Sequence, residues 1–475
     1  MQPAPLDPAV RLRPRAPADG ATFLTIYIAL IVAIPSRLQV PALGGAGSPA
    51  SILGLAGLGW WFWHQIHRTE RTSVPRPLLK IAMGVFLAAI AASYVAGMAR
   101  PIGSDEASTA DLALIGALSW LGVVLIANDG VPTLNRLSTV LRRLALAGGV
   151  LGTLGIVQFV TRQPLVDHIV IPGLAENQAL IAVLARDGFA RPAGTAIHPI
   201  EFGVVLAMLL PIALTVALSR GPRSALRRWF PVAAIAVSIV LSISRSAIIG
   251  ALVGILVLAP TWTRVDRRRI LGSTVALLPV VFLTVPGMLG TLEGLFTGIG
   301  SDSSALSRTE SYGIAWEFFQ RAPILGRGFG TFLPRYRIFD NQYLLLLVEV
   351  GVVGLLAMLG LLGTAVVAAR RARRLATDPP TKAEAQALAA AVAVGACSLA
   401  FFDAFSFPMA SGVLFLLVGL TGGLHRVTAK PFGALRPGIV PELAGAANAS
   451  TGLWRGLPRR RRAAGSTPAC NADDP

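Results

Sequence analysis

Residues that can do chemistry gather in one stretch of this chain. Gly326-Arg327-Gly328-Phe329-Gly330-Thr331-Phe332 is followed, after a short polar run, by Asp340-Asn341-Gln342-Tyr343, which opens into an apolar segment. Charged groups are costly near hydrocarbon and tend to persist there when they bind something or react. Glycines at alternate positions let a backbone turn tightly and come close to another group. The run therefore reads in two ways: a plain turn, or a nest of backbone N–H groups for a phosphate. Arg308, Arg321, Arg327, Arg335 and Arg337 crowd the same region. Arg245 sits in Ser242-Ile243-Ser244-Arg245-Ser246-Ala247, between two apolar segments. Guanidinium is the best bidentate phosphate binder, so Arg245, Arg308 and Arg327 are candidates to hold a phosphate; an interfacial arginine reaching for water is the alternative. Asn341, Leu345 and Glu349 share a helical face at spacings of four. A carboxylate at the depth of Glu349 either orients a polar ligand or completes an ion pair. Upstream, Arg191 precedes His198-Pro199-Ile200-Glu201, where a span opens. His198 is a candidate for direct chemistry, against a structural histidine, and Arg191 a candidate supporting charge.

The elements that must position these residues are membrane spans. The 475 residues are 54% hydrophobic and 14% charged, against roughly 25% charged in soluble domains. About twelve apolar stretches reach near-spanning length: 21–35, 49–63, 78–98, 112–127, 144–160, 202–218, 229–243, 247–260, 270–289, 343–369, 387–402 and 407–424. The first and eighth are short. The expected fold is an all-α polytopic membrane protein with a long external loop, 290–342, between spans nine and ten.

The formal charge of +18 would suit a nucleic-acid binder, but its distribution does not. With the N-terminus inside, cytoplasmic segments hold 31 of the 42 Lys and Arg and 10 of the 24 Asp and Glu. This is the positive-inside pattern, with both termini cytoplasmic. The run 459–462 reads as an anionic-lipid contact or a solvated tail. Domain organisation follows: a cytoplasmic tail over 1–19, a membrane domain over 20–430, and a basic tail over 431–475, both tails with the composition of disorder. No cleavable signal peptide is expected at the first apolar stretch. Cys397 and Cys470 offer no plausible disulfide or thiolate metal site. No metal site and no cofactor is expected, since no Asp-x-Asp-like pair falls on the external face and no P-loop on the other.

Within the external loop, Tyr312, Trp316 and Phe319 lie at helical spacings of three and four. They predict an amphipathic helix on the outer interface, ended by Arg321-Ala322-Pro323. Ser307 with Glu310 suggests a capping box at its start.

These residues resemble a known family. Pro323–Phe332, then Asp340-Asn341-Gln342-Tyr343-Leu344, then Glu349-Val350-Gly351-Val352-Val353-Gly354-Leu355 is similar to the C-terminal signature of the O-antigen ligase and polymerase family. That signature is a Pro-x-x-Gly-x-Gly turn, a His-Asn pair at a helix start and Glu-x-Gly-x-x-Gly-Leu. Ser244-Arg245-Ser246-Ala247 matches the family's Ser-Arg-Gly/Ser-Ala element, and the core of the likeness covers 229–367. The resemblance implies a metal-independent GT-C-type enzyme of the cytoplasmic membrane. Such an enzyme moves a glycan from a polyprenyl (undecaprenyl) diphosphate to an acceptor hydroxyl on the outer face. Glycans, lipids and proteins are all candidate acceptors. Family arginines hold the diphosphate, which falls on Arg245 and Arg308. A family histidine at the helix start is proposed to activate the acceptor; here that position is Asp340. A carboxylate can also take a proton, and His198 is the candidate to supply the missing imidazole. Two other classes fit the topology: a transporter or flippase of lipid-linked saccharides, and a non-catalytic scaffold. Transporters place their charges near the midplane of related halves; here they cluster on one face.

Overall fold

A computed structural model of the chain describes residues 19–67, 77–176, 185–186, 189–219, 224–284 and 303–429. The tails read as 1–19 and 431–475 lie, but for Asp19, outside the described residues, as does the part of the long loop over 285–302.

Among the described residues the fold is helical. In chain order the helices are α1 (Gly20–Ala33), α2 (Pro49–Ile66), α3 (Leu78–Met98), α4 (Ser104–Asp129), α5 (Leu134–Thr161), α6 (Pro199–Leu218), α7 (Ala225–Leu241), α8 (Arg245–Leu258), α9 (Arg264–Thr284), α10 (Ser303–Arg321), α11 (Gln342–Glu349), α12 (Gly351–Leu375), α13 (Pro379–Ser398) and α14 (Pro408–Thr428). Two short antiparallel pairs, Leu38–Gln39 with Ala175–Glu176 and Ala185–Arg186 with Phe189–Ala190, brace the loops. Six helices, α3, α4, α5, α6, α12 and α14, are long and apolar enough to cross a membrane; α1 and α8 are apolar but shorter. Such helices satisfy their backbone polar groups internally, as hydrocarbon demands.

Helix α14 and helix α6 form the centre, with 89% and 83% of their most apolar windows buried. The others pack around them with exposed apolar stripes, such as Ile81 and Val85 on α3 and Leu356 and Leu359 on α12. Small residues bring backbones together. A Cβ on Gly122 of α4 would lie 2.0 Å from the carbonyl oxygen of Gly54 on α2. This is the close approach that drives association where hydrophobic burial has no force.

Polar groups sort to the two ends of the bundle. At one end Lys80 meets Asp129 at 3.1 Å and Arg136 pairs with Asp19. At the other, Arg37 pairs with Asp167 and Arg100 with Glu106. The candidate residues all belong to this second end, where α6, α8, α11 and α14 begin and α3, α5, α7 and α13 finish.

Two expectations need correction. The tenth stretch, 343–369, is not one continuous helix: it breaks between Glu349 and Gly351, where Gly351 takes φ +69°. The interfacial helix begins at Ser303, so Ser307 lies inside it and cannot be its N-cap. Glu310 accepts from the Arg337 guanidinium at 3.2 Å. The helix does end at Arg321, with Tyr312 and Trp316 more than half exposed and Ser311 and Ala315 buried on the opposite side.

Candidate functional site

The glycine-rich turn and the Glu-x-Gly motif form one knot. The N–H of Arg327 donates to the Val348 carbonyl at 2.9 Å, that of Gly328 to the Glu349 carbonyl at 2.9 Å, and that of Val352 to the Pro323 carbonyl at 2.9 Å. The break after Glu349 is what frees those carbonyls. Gly326 and Gly351 sit where the two backbones touch. A Cβ on Gly326 would lie 2.3 Å from the Glu349 carbonyl, and one on Gly351 2.3 Å from the Ile324 carbonyl. Both have positive φ, +69°, which costs a side-chain-bearing residue energy.

The nest reading of the turn is met from within the chain. Phe332 donates its N–H to Glu349 Oε1 at 3.1 Å, and the Gly330 N–H also reaches that carboxylate. The group held by the turn is thus the Glu349 carboxyl itself, while the Ser93 hydroxyl holds the Glu349 carbonyl at 2.7 Å.

Arg327 is engaged by an acid and two rings, while its buried Nε has no hydrogen-bond partner among the described residues. Its guanidinium pairs with Glu106, lies 4.7 Å over the Tyr336 ring and 5.4 Å from that of Phe318. Buried Glu106 also accepts from Arg100 at 2.8 Å and from the Tyr336 hydroxyl. The charge of Arg327 is spent on anchoring the turn to α4. Sequence reasoning did not single out Glu106. Its only signal is position, third in α4 beside Asp105, opposite a run of arginines far along the chain. Next to this cluster Phe332 stacks on Phe339 at 4.8 Å and meets Phe318 edge-on at 5.1 Å. These rings, with Ala315 and Val348, bind α10 to α11. Arg308 falls within α10, three residues before buried Ser311.

The start of α11 is stitched to the loop between α13 and α14. Asn341 is its N-cap: Oδ1 accepts from Tyr343 N at 3.0 Å and Leu344 N at 3.2 Å. Its amide oxygen is therefore committed to the helix, as asparagine caps are. Buried Gln342 donates its N–H to the Leu399 carbonyl at 2.8 Å and accepts from Phe405 N at 2.8 Å. Half-buried Asp340 thereby comes beside Asp403. Burial, and then Asp340, push the Asp403 carboxyl up to about 6. Asp403 was missed by sequence reasoning. Its signal was a lone acid inside Phe401-Phe402-Asp403-Ala404-Phe405, and acids in such runs are retained for a reason.

Asp403, Gln342, Glu349 and Arg337 line one cavity of about 300 Å³, walled by Trp120, Phe332 and other apolar groups. A concave apolar site with a few convergent polar groups is the usual form of a ligand pocket. Ile197 also lines it, which joins the upstream segment to the site.

His198 is the N-cap of α6. Its Nδ1 accepts from the Ile200 N–H at 3.1 Å, which places the ring proton on Nε2. Burial and then Arg191 hold the imidazole down at about 4, so it is neutral near pH 7. A ring whose acceptor nitrogen caps a helix can donate from Nε2 but has no lone pair to take a proton. Glu201 is the second cap here: Oε2 accepts from Ile197 N at 2.8 Å, and Oε1 from Met409 N at 2.8 Å and Ala410 N at 3.1 Å. It ties the starts of α6 and α14 together, so its role is structural.

Arg191 Nε donates to the Ser242 carbonyl at 3.0 Å. That carbonyl belongs to the turn leading into α8, with Arg245 as the first helical residue. Ile243, fully buried, has φ +47°. A β-branched residue there is a backbone outlier costing of order 1–3 kcal/mol. Arg191 and the Ser244–Ser246 hydroxyl pair at 2.9 Å help hold it. Half-buried Arg245 is therefore presented by a fixed, strained turn. Among the described residues no three His, Cys, Asp or Glu side chains gather as a metal-ligand set.

The chain as a whole is thus a polytopic helical protein whose polar site sits at one end of the bundle. The family model described as O-antigen ligase matches residues 230–359. The match supports the O-antigen ligase and polymerase family, and with it a general role in glycan transfer for surface polysaccharides. The matched stretch holds Arg245, Arg308, Arg327, Asp340, Asn341 and Glu349; Arg191, His198 and Asp403 lie outside it. No curated protein matches the chain.

Proposed function

We propose that this chain transfers a glycan from a polyprenyl diphosphate to an acceptor hydroxyl at the outer face of the cytoplasmic membrane. The observation that carries the reading is the cavity beside the start of α11, lined by Gln342 and by Asp403, which Asp340 lies near enough to influence. The topology proposed with it has about twelve spans in a GT-C-like arrangement, with both termini cytoplasmic. The basic residues at the opposite end, such as Arg264 and Arg267–Arg269 on α9 and Arg370, Arg371, Arg373 and Arg374 on α12, support that orientation.

In this reading Arg245 and Arg308 grip the diphosphate, and their fixed charges stabilise it as it leaves. Arg327 and Glu349 hold the turn that shapes the cavity and do not touch the donor. Asn341 fixes the start of α11, so that Asp340 is set in place to orient the acceptor hydroxyl. Asp403 is the better proton acceptor of the two acids. A base works best with a pKa near the working pH, and Asp403 lies closer to it than an ordinary aspartate. His198 donates from Nε2 to an oxygen of substrate, and Arg191 positions it. Uptake of the acceptor proton by Asp403 accompanies formation of the new glycosidic bond. The bond to the diphosphate breaks, and the carrier departs as the free diphosphate.

The test is incubation of purified protein in detergent with an undecaprenyl-diphosphate glycan and candidate acceptors, both glycan and lipid. Release of undecaprenyl diphosphate together with acceptor glycosylation supports transfer. Movement of intact donor across a liposome leaflet, with no cleavage, rejects it in favour of a flippase.

A further inference from the structure

The bundle end opposite the site holds a second cavity that glycan transfer does not use. It lies where α3 begins and α4, α12 and α14 run out. Lys80, Arg371 and Arg426 are its cations, Asp129 its one acid, and His425 lies beside them. Lys80 is answered by Asp129 at 3.1 Å. Asp129 is further held by the Trp61 indole N–H at 2.9 Å and the Asn128 amide at 2.7 Å. Arg426 Nε donates to the Asn128 carbonyl at 2.7 Å, and its Nη2 to that of Val131. It thus ties two helix ends together through their backbone carbonyls. Arg371 is exposed and has no hydrogen bond or ion pair among the described residues. It lies close enough to His425 to act on it electrostatically. The cavity therefore carries a net positive charge with one guanidinium at its mouth.

Its remaining wall is apolar: Leu78, Leu79, Val367 and Ala368. Leu78 and Val367 are 38% and 42% exposed. They begin the outward stripes of α3 and α12, two helices that pack together. Along these stripes a Cβ on Gly84, Gly360 or Gly363 would meet nothing within 4 Å. A basic recess thus opens onto an uncrowded apolar flank. Its volume, about 40 Å³, suits about three water-sized groups, enough for the oxygens of a phosphate and too little for a sugar.

We propose that this recess binds the phosphate of an anionic phospholipid, with Arg371 closing on the headgroup and the acyl chains lying along α3 and α12. Basic recesses between spanning helices are the usual receptors for such headgroups, and the guanidinium fork fits a phosphate better than an ammonium does. A bare basic fringe at helix ends would give attraction without a site; what differs here is a recess with one unspent guanidinium over an apolar flank.

The experiment uses the full chain in neutral detergent, titrated with phosphatidylglycerol or phosphatidylcholine and read by native mass spectrometry. Phosphatidylglycerol should bind in a saturable 1:1 manner and phosphatidylcholine at least fivefold more weakly. Arg371→Gln, at an exposed position, should weaken phosphatidylglycerol about fivefold, the effect of one basic residue near an anionic surface. Arg374→Gln, on the last turn of the same helix and outside the recess, should leave it unchanged. Inorganic phosphate and glycerol phosphate are titrated alongside. If they compete with the lipid at equal concentration, the recess is a free-anion site and the lipid assignment fails. Equal losses from both variants would mean diffuse surface charge, and no preference between the two lipids would remove the site altogether.

Discussion

Gly351→Ala tests the knot on which the site rests. Gly351 has φ +69°, and its added Cβ would stand 2.3 Å from the Ile324 carbonyl oxygen and 2.7 Å from the Gly326 nitrogen. The left-handed conformation alone costs alanine about 1–2 kcal/mol. Relief of the clash needs the two backbones to part by close to 1 Å. That loosens the bonds that cross the knot, from Arg327 N to Val348 O, Gly328 N to Glu349 O and Val352 N to Pro323 O. Losing two of them costs roughly 0.5–1.5 kcal/mol each. The sum is about 3 kcal/mol, or on the order of a hundredfold in the balance between closed and open knot. Since α11 is pinned at this end by the knot and at the other by Asn341, glycan transfer should fall with stability. The control is Gly360→Ala on α12, where the new Cβ meets nothing within 4 Å; alanine there is neutral or mildly stabilising. The assay is thermal inactivation in detergent, followed by transfer measured on the fraction still folded. If Gly351→Ala inactivates at the same temperature as Gly360→Ala and transfers normally, the two motifs do not form a structural unit and the reasoning fails.

Replacing Arg245 or Arg308 by Lys should cut transfer at least tenfold, because Lys keeps the charge and loses the bidentate fork; normal rates in both would make them topological anchors. Asp340→Asn should retain measurable transfer, since an amide oxygen still accepts a hydrogen bond, whereas Asp340→Ala should lose far more; a folded Asn variant with no activity would transfer the base role to Asp340. For His198 the folded imidazole is held at about 4, below its ordinary 6.5. The unfolded chain therefore binds the extra proton first, and stability drops as pH falls from about 6.5 to 4. His198→Asn, which keeps a capping side chain, should flatten melting temperature across that window; an unchanged pH profile would show the imidazole is not buried neutral. Cysteines introduced near Ser303 should react with an impermeant reagent from outside and those near Arg267 should not, and the reverse pattern would invert the proposed topology.

Much of the frame was legible because hydrocarbon imposes simple rules. Six of the apolar stretches return as long helices, and α1 and α8 are short at the two places where apolar length ran out. The amphipathic helix was legible from Tyr312 and Trp316, which do face outward. What was not legible is pairing across distance. Nothing in Gly326-Arg327-Gly328 says that its N–H groups will be met by carbonyls of a helix broken some twenty residues later. Local glycine spacing is the same for a phosphate nest and for a backbone crossing. The identity of the contact lies in Gly351, whose need for positive φ shows only once the helix is seen to break. Arg327 looked like a free cation because its acid, Glu106, is 221 positions away. Asp403 went unread because its meaning depends on Asp340, and a single acid among phenylalanines has no spacing to interpret.

One physical rule separates scaffold from site at this end of the bundle. A buried carboxylate is tolerable when N–H groups or cations surround it. Glu349 takes the turn, Glu201 takes the start of α14, and Glu106 takes two arginines and a tyrosine. Asp403 is different: its donors are local, the Ser406 hydroxyl and its own backbone N–H, and a second acid, Asp340, lies near enough to act on it. Asp340, brought close by the Gln342 bonds to the loop, adds to the cost of ionising buried Asp403. Such an arrangement persists when a ligand's proton or hydroxyl takes up the strain. The acids that close the fold are those whose donors tie one element to another. The pair left beside the cavity is where an acceptor hydroxyl has something to gain, and it is there that transfer should begin.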